Sequence, residues 1–187
     1  MELNVGVSKN HVHLKEETWR RLFGDKPLVK RNDLSQPGQF ATIDTVDLKV
    51  GTKIIEHVRV VGPFRNYDQV EITATDASFL DVDPPRRQSG DLFNTPSIEL
   101  VGPKGSVILN NSLILAERHI HMSKKMSSDL GLSNKQKVYV YNKNLYLFDA
   151  LIKVSDDGIL ELHIDTDESK IYNLLPGSKV DFRVCGK

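Results

Sequence analysis

The chain has one cysteine, Cys185. A lone thiol excludes an internal disulfide, nothing near it resembles a nucleophile motif, and it fits a reducing cytosol. No apolar run approaches the ~20 residues that a membrane-spanning helix needs, and no signal-peptide pattern opens the chain. Neither sign of charge dominates: 25 Lys and Arg balance 25 Asp and Glu. That balance argues against nucleic acid as the main partner and leaves room for a local basic patch that takes a small anion. A Ser-His-Asp or Cys-His nucleophile set is also missing. With 39% hydrophobic and 27% charged residues in a chain of 187, the protein is globular, with material for one large domain or two small ones.

Histidine is scarce but concentrated. Four of the six histidines form two copies of one motif, His11-Val12-His13 and His119-Ile120-His121, each preceded by an apolar stretch. On an extended strand, residues i and i+2 share a face. Each copy therefore presents two imidazoles on one side and an apolar residue on the other. Imidazole is the commonest metal ligand, and two copies of a ligand pair carry far more weight than one.

The stretches downstream of each motif also match. Val70-Glu71-Ile72 followed by Thr75-Asp76-Ala77-Ser78 aligns with Leu162-His163-Ile164 followed by Thr166-Asp167-Glu168-Ser169, with one gap. Glu71 then falls opposite His163, and both are zinc-ligand types. The chain reads as a diverged internal repeat, each half offering His-x-His plus one further ligand. Three protein ligands leave a coordination position open, as catalytic metal sites do. Two plainer readings stay open: an ordinary strand glutamate for Glu71, and a satisfied core histidine for His163. His57 fits neither half and reads as a surface or packing residue.

Most of the chain alternates in short strands: 46–50, 57–61, 70–75, 97–101, 106–109, 137–141, 145–154 and 159–164. Such spacing points to barrels or sandwiches. Three short helices are expected, over 15–23, 123–130 and 168–175, the last stopped by Pro176-Gly177. The irregular stretch 81–91 carries Arg86, Arg87, Ser89 and Gly90. Guanidinium and backbone N–H groups there can bind phosphate, although a plain charged surface loop accounts for it as well. Arg65 lies six residues before Glu71 in a Gly-Pro turn. A hairpin there would place it over the metal.

Taken in order, Val5-Gly6-Val7-Ser8 with His11-Val12-His13-Leu14, Gln36-Pro37-Gly38-Gln39-Phe40-Ala41, Val60-Val61-Gly62-Pro63-Phe64-Arg65, Gln69-Val70-Glu71-Ile72, Thr75-Asp76-Ala77, Arg87-Gln88-Ser89-Gly90-Asp91, Ala116-Glu117-Arg118-His119-Ile120-His121-Met122 and His163-Ile164-Asp165-Thr166-Asp167-Glu168 span nearly the whole chain. Together they resemble the PduL-type phosphotransacylases, or phosphate propanoyltransferases. Two positions depart from that pattern: Lys9-Asn10 stands where Asn-Arg is usual, and Arg86 where a small apolar residue is common.

The resemblance implies a mainly β fold with a few short helices. It implies two small pseudo-repeated barrels packed together, with the active site between them. Residues 1–8 with 117–187 would form one barrel and 9–116 the other, with a phosphate-site loop. It implies reversible transfer of a short acyl group between coenzyme A and inorganic phosphate. Two zinc ions, or another divalent metal, would be held by His11, His13 and Glu71 and by His119, His121 and His163. Arg65 would be the essential arginine, with Ser89 and Arg87 at the phosphate. The partners expected are acyl-CoA or CoA and phosphate or acyl phosphate, with no nucleic acid, no membrane and a possible homo-oligomer. Relatives in bacterial microcompartments carry an N-terminal targeting helix. Here the first strand starts within a few residues of Met1, so a free cytoplasmic enzyme is expected. Direct attack by phosphate, assisted by metal, suits a chain that lacks a covalent nucleophile. Two competing readings share the ligands: a metal-dependent hydrolase that needs no phosphate, and a non-catalytic metal- or sugar-binding barrel.

Overall fold

The computed structural model describes residues 1–184, and Cys185 lies outside the described residues. In chain order the elements begin with β1 (Glu2–Ser8), β2 (His11–His13), α1 (Glu16–Phe23), β3 (Lys30–Asp33), β4 (Phe40–Val50), β5 (Lys53–Gly62) and β6 (Gln69–Ile72). Then follow α2 (Ala74–Leu80), β7 (Arg86–Arg87), β8 (Ile98–Gly102), β9 (Gly105–Leu109), β10 (Leu113–Ala116) and β11 (His119–Ser123). The described residues end with α3 (Lys124–Leu130), β12 (Lys137–Asn142), β13 (Leu145–Ser155), β14 (Glu161–Asp165), α4 (Thr166–Ile171) and β15 (Lys179–Val184).

These elements divide into two compact units. One holds Met1–Ser8, Ser35–Pro37 and the described residues from Glu117 onward; the other holds Lys9–Leu34 and Gly38–Ala116. In the first unit six strands close into a barrel in the order β1-β14-β11-β13-β12-β15. β1 completes it, running parallel to β14 and antiparallel to β15. The barrel has its own core, in which Leu3 and Val5 of β1 pack with Ile120, Met122, Ile152, Leu162 and Val180.

The second unit is a curled sheet that, among the described residues, stays open. Its path is β7-β10-β6-β2-β5-β4-β8-β9, with β3 attached to β4. The expectation of two barrels is thus met by one closed barrel and one open counterpart. Its core gathers Val12, Trp19, Leu48, Val60, Val70, Leu100 and Leu113. The 57–61 strand belongs to the longer β5, where His57 is an exposed irregularity with φ 58° and its N–H donates to Asp47 Oδ1 at 2.9 Å. Among the described residues no helix is long and apolar enough to cross a membrane.

Side chains end the strands and start the helices. Three helices sit close to the expected ranges. The fourth, α2, begins within the strand expected over 70–75 and runs beyond it. β6 stops at Ile72, and Thr73 caps α2 by accepting from the Asp76 N–H. Asp165 caps α4 in the same way, and Glu168 reaches back to complete a capping box. Helix α1 has Lys15 at its N-cap with no side-chain cap of its own. Asp68 serves instead, accepting from the Lys15 N–H and the Thr18 hydroxyl, both at 2.8 Å.

Leu162 lies fully buried between two polar neighbours of β14, Glu161 and His163. Leu162→Ala is expected to cost roughly 2–5 kcal/mol through lost burial and the cavity left behind. Denaturant unfolding checks this; an unchanged midpoint would mean that Leu162 does not anchor the barrel.

Candidate functional site

Each His-x-His sits on a strand whose antiparallel neighbour carries the third ligand candidate. On β2 and β6, His11 faces Glu71, Val12 faces Val70 and His13 faces Gln69. On β11 and β14, His119 faces His163, Ile120 faces Leu162 and His121 faces Glu161. Val12, Val70, Ile120 and Leu162 all point into the cores, so pleating turns the polar residues to the opposite face. Within each set, His11/His13/Glu71 and His119/His121/His163, the possible ligand atoms lie within 4.8 Å of one another.

The backbone sets the imidazoles in the same way in both halves. Nδ1 of His11 meets the Lys9 carbonyl at 2.9 Å, and Nδ1 of His119 meets the Glu117 carbonyl at 2.7 Å. A carbonyl only accepts, so Nδ1 carries the proton and the Nε2 lone pair is left for a metal. Nε2 of His119 lies 3.0 Å from Nε2 of His121. Burial, with Lys153 and the neighbouring histidines, pushes the His119 pKa well below its ordinary value. Burial, with His163 and Lys153, pushes His121 down to about 3. His119 and His121 are therefore neutral, which is the state in which imidazole binds a divalent ion. These residues fit such an ion.

Behind the ligands lies a layer that sequence reading passed over. Gln69, fully buried, donates from Nε2 to Glu71 Oε1 at 2.6 Å and to Ser89 Oγ at 2.8 Å, and its Oε1 accepts from the Gly90 N–H at 2.7 Å. The Ser-Gly loop is thus tied to a ligand candidate through one amide. Glu161 holds the matching place. Its Oε2 lies 2.5 Å from His163 Nε2 and accepts from Ser35 Oγ at 2.6 Å and Gln36 Nε2 at 3.3 Å. Burial opposes its charge, but the bonds from His163, Ser35 and Gln36 outweigh it and hold the carboxyl at about 2. The signal in the sequence was the position two before each third ligand, which lies on the same face of its strand.

The residue just before each His-x-His reaches the helix that follows the third ligand. Asn10 Nδ2 donates to Asp76 Oδ2 at 2.7 Å, and its Oδ1 accepts from the Thr73 N–H at 3.1 Å. Arg118 Nε donates to Glu168 Oε1 at 2.6 Å, and Glu168 Oε2 accepts from the Asp165 N–H at 3.1 Å. The caps align Thr73 with Asp165 and Asp76 with Glu168, so the two repeats match from the third ligand onward without the gap the sequence comparison used.

Arg65 lies between β5 and β6, with its N–H donating to the Leu14 carbonyl at 2.9 Å. The link is not a hairpin, because β2 sits between β5 and β6, so the segment crosses the end of β2 just beyond His13. Arg65 Nε is buried and finds no hydrogen-bond partner among the described residues. Arg59, unremarked in the sequence, is opposite His11 on β5. Burial lowers its pKa against the opposing pull of Glu71. Arg87 pairs with Asp91 at 3.9 Å, and Arg86 donates to the Ala116 carbonyl at 3.2 Å.

These shifts set a pH dependence for the metal-free protein. Unfolded, histidine takes its proton below about 6.5; folded, His121 refuses it until pH nears 3. The stability this contributes is complete above the unfolded value and drains as pH falls toward the folded one. Glu161 acts in the same direction: its contribution is present above 4.5 and is lost as pH falls through about 2. Tm is expected to fall steadily from pH 6.5 to 3, and less so in His121→Asn. A scanning calorimeter reads both; a flat Tm across that window would contradict the burial of these imidazoles.

The family model for phosphate propanoyltransferase matches residues 4–174. The phosphate propanoyltransferase of Thermotoga maritima is 45% identical over 182 residues, covering 94% of this chain and 86% of its own length. That of Rhodopseudomonas palustris is 38% identical over 190 residues, covering 100% of this chain and 83% of its own length. That of Salmonella typhimurium is 42% identical over 170 residues, covering 88% of this chain and 80% of its own length. With matches of that extent, and with the duplicated ligand geometry in place, the chain belongs to the phosphate propanoyltransferase family.

Proposed function

We propose that this protein is a phosphotransacylase that reversibly moves a short acyl group, acetyl or propanoyl, between coenzyme A and inorganic phosphate by direct attack. A phosphate oxygen attacks the thioester carbonyl, the carbon–sulfur bond breaks, and the CoA thiolate leaves with acyl phosphate as the other product. The single observation that carries this reading is the duplicated set of converging ligand candidates in a chain of this family. Bound to His11, His13 and Glu71 and to His119, His121 and His163, two divalent ions, zinc foremost, would supply Lewis acidity to the thioester carbonyl and to phosphate oxygens.

The chain's own groups do the rest. Arg65 offers a planar guanidinium with a buried Nε that has no hydrogen-bond partner among the described residues. It suits bidentate grip on phosphate and offsets charge on the tetrahedral species. Ser89, tied through Gln69 to Glu71, orients the loop at the phosphate, with Arg87 beside it. Holding both reactants in line can supply roughly 7–11 kcal/mol of the activation barrier. Both substrates are bound before either product leaves, and no acyl-enzyme forms. The reading places the enzyme in the cytosol, in keeping with its single cysteine.

Metal analysis of protein purified without chelator is expected to find two ions per chain, and chelation to abolish thiol release from acyl-CoA. Full activity in metal-free protein would end the metal-assisted reading. Thiol release that proceeds unchanged without phosphate would favour the hydrolase instead. Arg65→Ala should lose about a hundredfold or more in rate, as for loss of one transition-state donor. Arg65→Lys should recover only part, because an ammonium cannot reproduce the fork. Tm should barely move in either variant. Near-normal turnover in Arg65→Ala would remove this residue from the site.

A further inference from the structure

We infer that Glu161 is a positioning residue that accepts the Nε2–H of His163, so that this ring turns Nδ1 toward a metal ion while His119 offers Nε2. The inference rests on the metal reading above and refines it. β14 lies between β1 and β11, with Gly6 opposite His163 on one side and His119 on the other. A Cβ placed on Gly6 would lie 2.8 Å from His163 Cδ2, 2.9 Å from its Nε2 and 2.9 Å from Glu161 Cδ. The Cδ2–Nε2 edge of the ring is therefore turned toward β1, and the Nδ1 edge toward β11. From β11 the rings of His119 and His121 approach, with centroids at 5.3 and 4.5 Å.

Glu161 sits two residues before His163, on the same face of the strand, with Oε2 at 2.5 Å from Nε2. A carboxylate only accepts, so the proton belongs on Nε2 and the lone pair on Nδ1. Ser35 and Gln36 hold the same oxygen, which fixes the carboxylate as the carboxylate fixes the ring. In the other set the corresponding residue is Gln69, an amide donating to Glu71. Each set thus has one carboxylate along its third-ligand strand, placed as the ligand in one and behind it in the other. Gly6 is the space that the turned ring requires.

Long-range nitrogen–proton NMR on zinc-loaded protein with labelled histidine reads which nitrogen is metal-bound, with His163→Ala supplying the assignment. The expected result is metal at Nδ1 and a proton at Nε2 for His163, with the reverse for His119. Metal at Nε2 of His163 would overturn the inference. In chelator competition, Glu161→Gln and Gly6→Ala should each weaken one of the two ions by roughly ten- to hundredfold, the range for partners of ligating histidines, with the other ion unaffected. Circular dichroism confirms that each variant is folded, and the glutamine variant retains the shape should Glu161→Ala fail to fold. Two ions held with undiminished affinity by folded Glu161→Gln would overturn the role of Glu161. Wild-type protein that takes up no metal would instead overturn the metal reading itself, which separates the two failures.

Discussion

Register is the constraint on which the candidate site depends. His11 faces Glu71 and His119 faces His163 across antiparallel pairs. The apolar residues that alternate with them, Val12, Val70, Ile120 and Leu162, are all fully buried. A slip by one residue would send the imidazoles into a hydrocarbon core and these aliphatic side chains out of it. The hydrophobic effect therefore positions the polar groups indirectly. No ligand needs to find its partners, because four buried aliphatic side chains have already set the pairing. The neutral state of His119 and His121 follows from the same burial, which makes a proton costly and leaves lone pairs for a cation.

The two halves share this scaffold and differ in where the negative charge sits. On β6 the order is Gln69 then Glu71; on β14 it is Glu161 then His163. The carboxylate has moved two positions along the strand, which keeps it on the same face. Each half anchors the displaced polar group with its own serine, Ser89 in one and Ser35 in the other. Further back, Asn10 and Arg118 hold the capping acids of α2 and α4. Asn10 stands where the family resemblance implied an arginine, and it performs the grip with a neutral amide. That substitution is tolerable because its partner Asp76 is also bound by the Thr73 hydroxyl at 3.0 Å.

What was legible in the sequence, and what was not, follows from range. Period-two alternation exposed the His-x-His strands, and the duplicated pattern exposed Glu71 and His163, because both signals are local. α2 was missed because Val70-Glu71-Ile72-Thr73 continues a strand pattern until Thr73 caps the helix, and the cap is legible only once the strand's end is known. Gln69 and Glu161 were missed because each looks like an ordinary polar residue facing outward. Their partners, Ser89 and Ser35, stand 20 and 126 residues away in the chain. The supposed hairpin at Arg65 failed for a related reason: β2 enters between β5 and β6 from an earlier part of the chain. Nothing within the turn itself announces that insertion.

The chain leaves one compact unit for the other just before each His-x-His, between Ser8 and Lys9 and again between Ala116 and Glu117. Each crossing strand serves one ligand set before delivering the next. β1 lies beside β14, where Gly6 makes room for His163, and three residues past Ser8 the chain supplies His11. β10 lies beside β6, where Ile114 is opposite Glu71, and three residues past Ala116 the chain supplies His119. At both crossings the bridging residue, Lys9 or Glu117, uses its carbonyl to accept the Nδ1–H of the histidine two positions on. The short bridge therefore fixes a tautomer as well as a path. A bridge longer by one residue would move that carbonyl off the ring, and the Nε2 lone pair would no longer be assured. The repeat thus preserves the spacing between strand and histidine, while the third ligand, on the neighbouring antiparallel strand, is free to be a carboxylate in one half and an imidazole in the other.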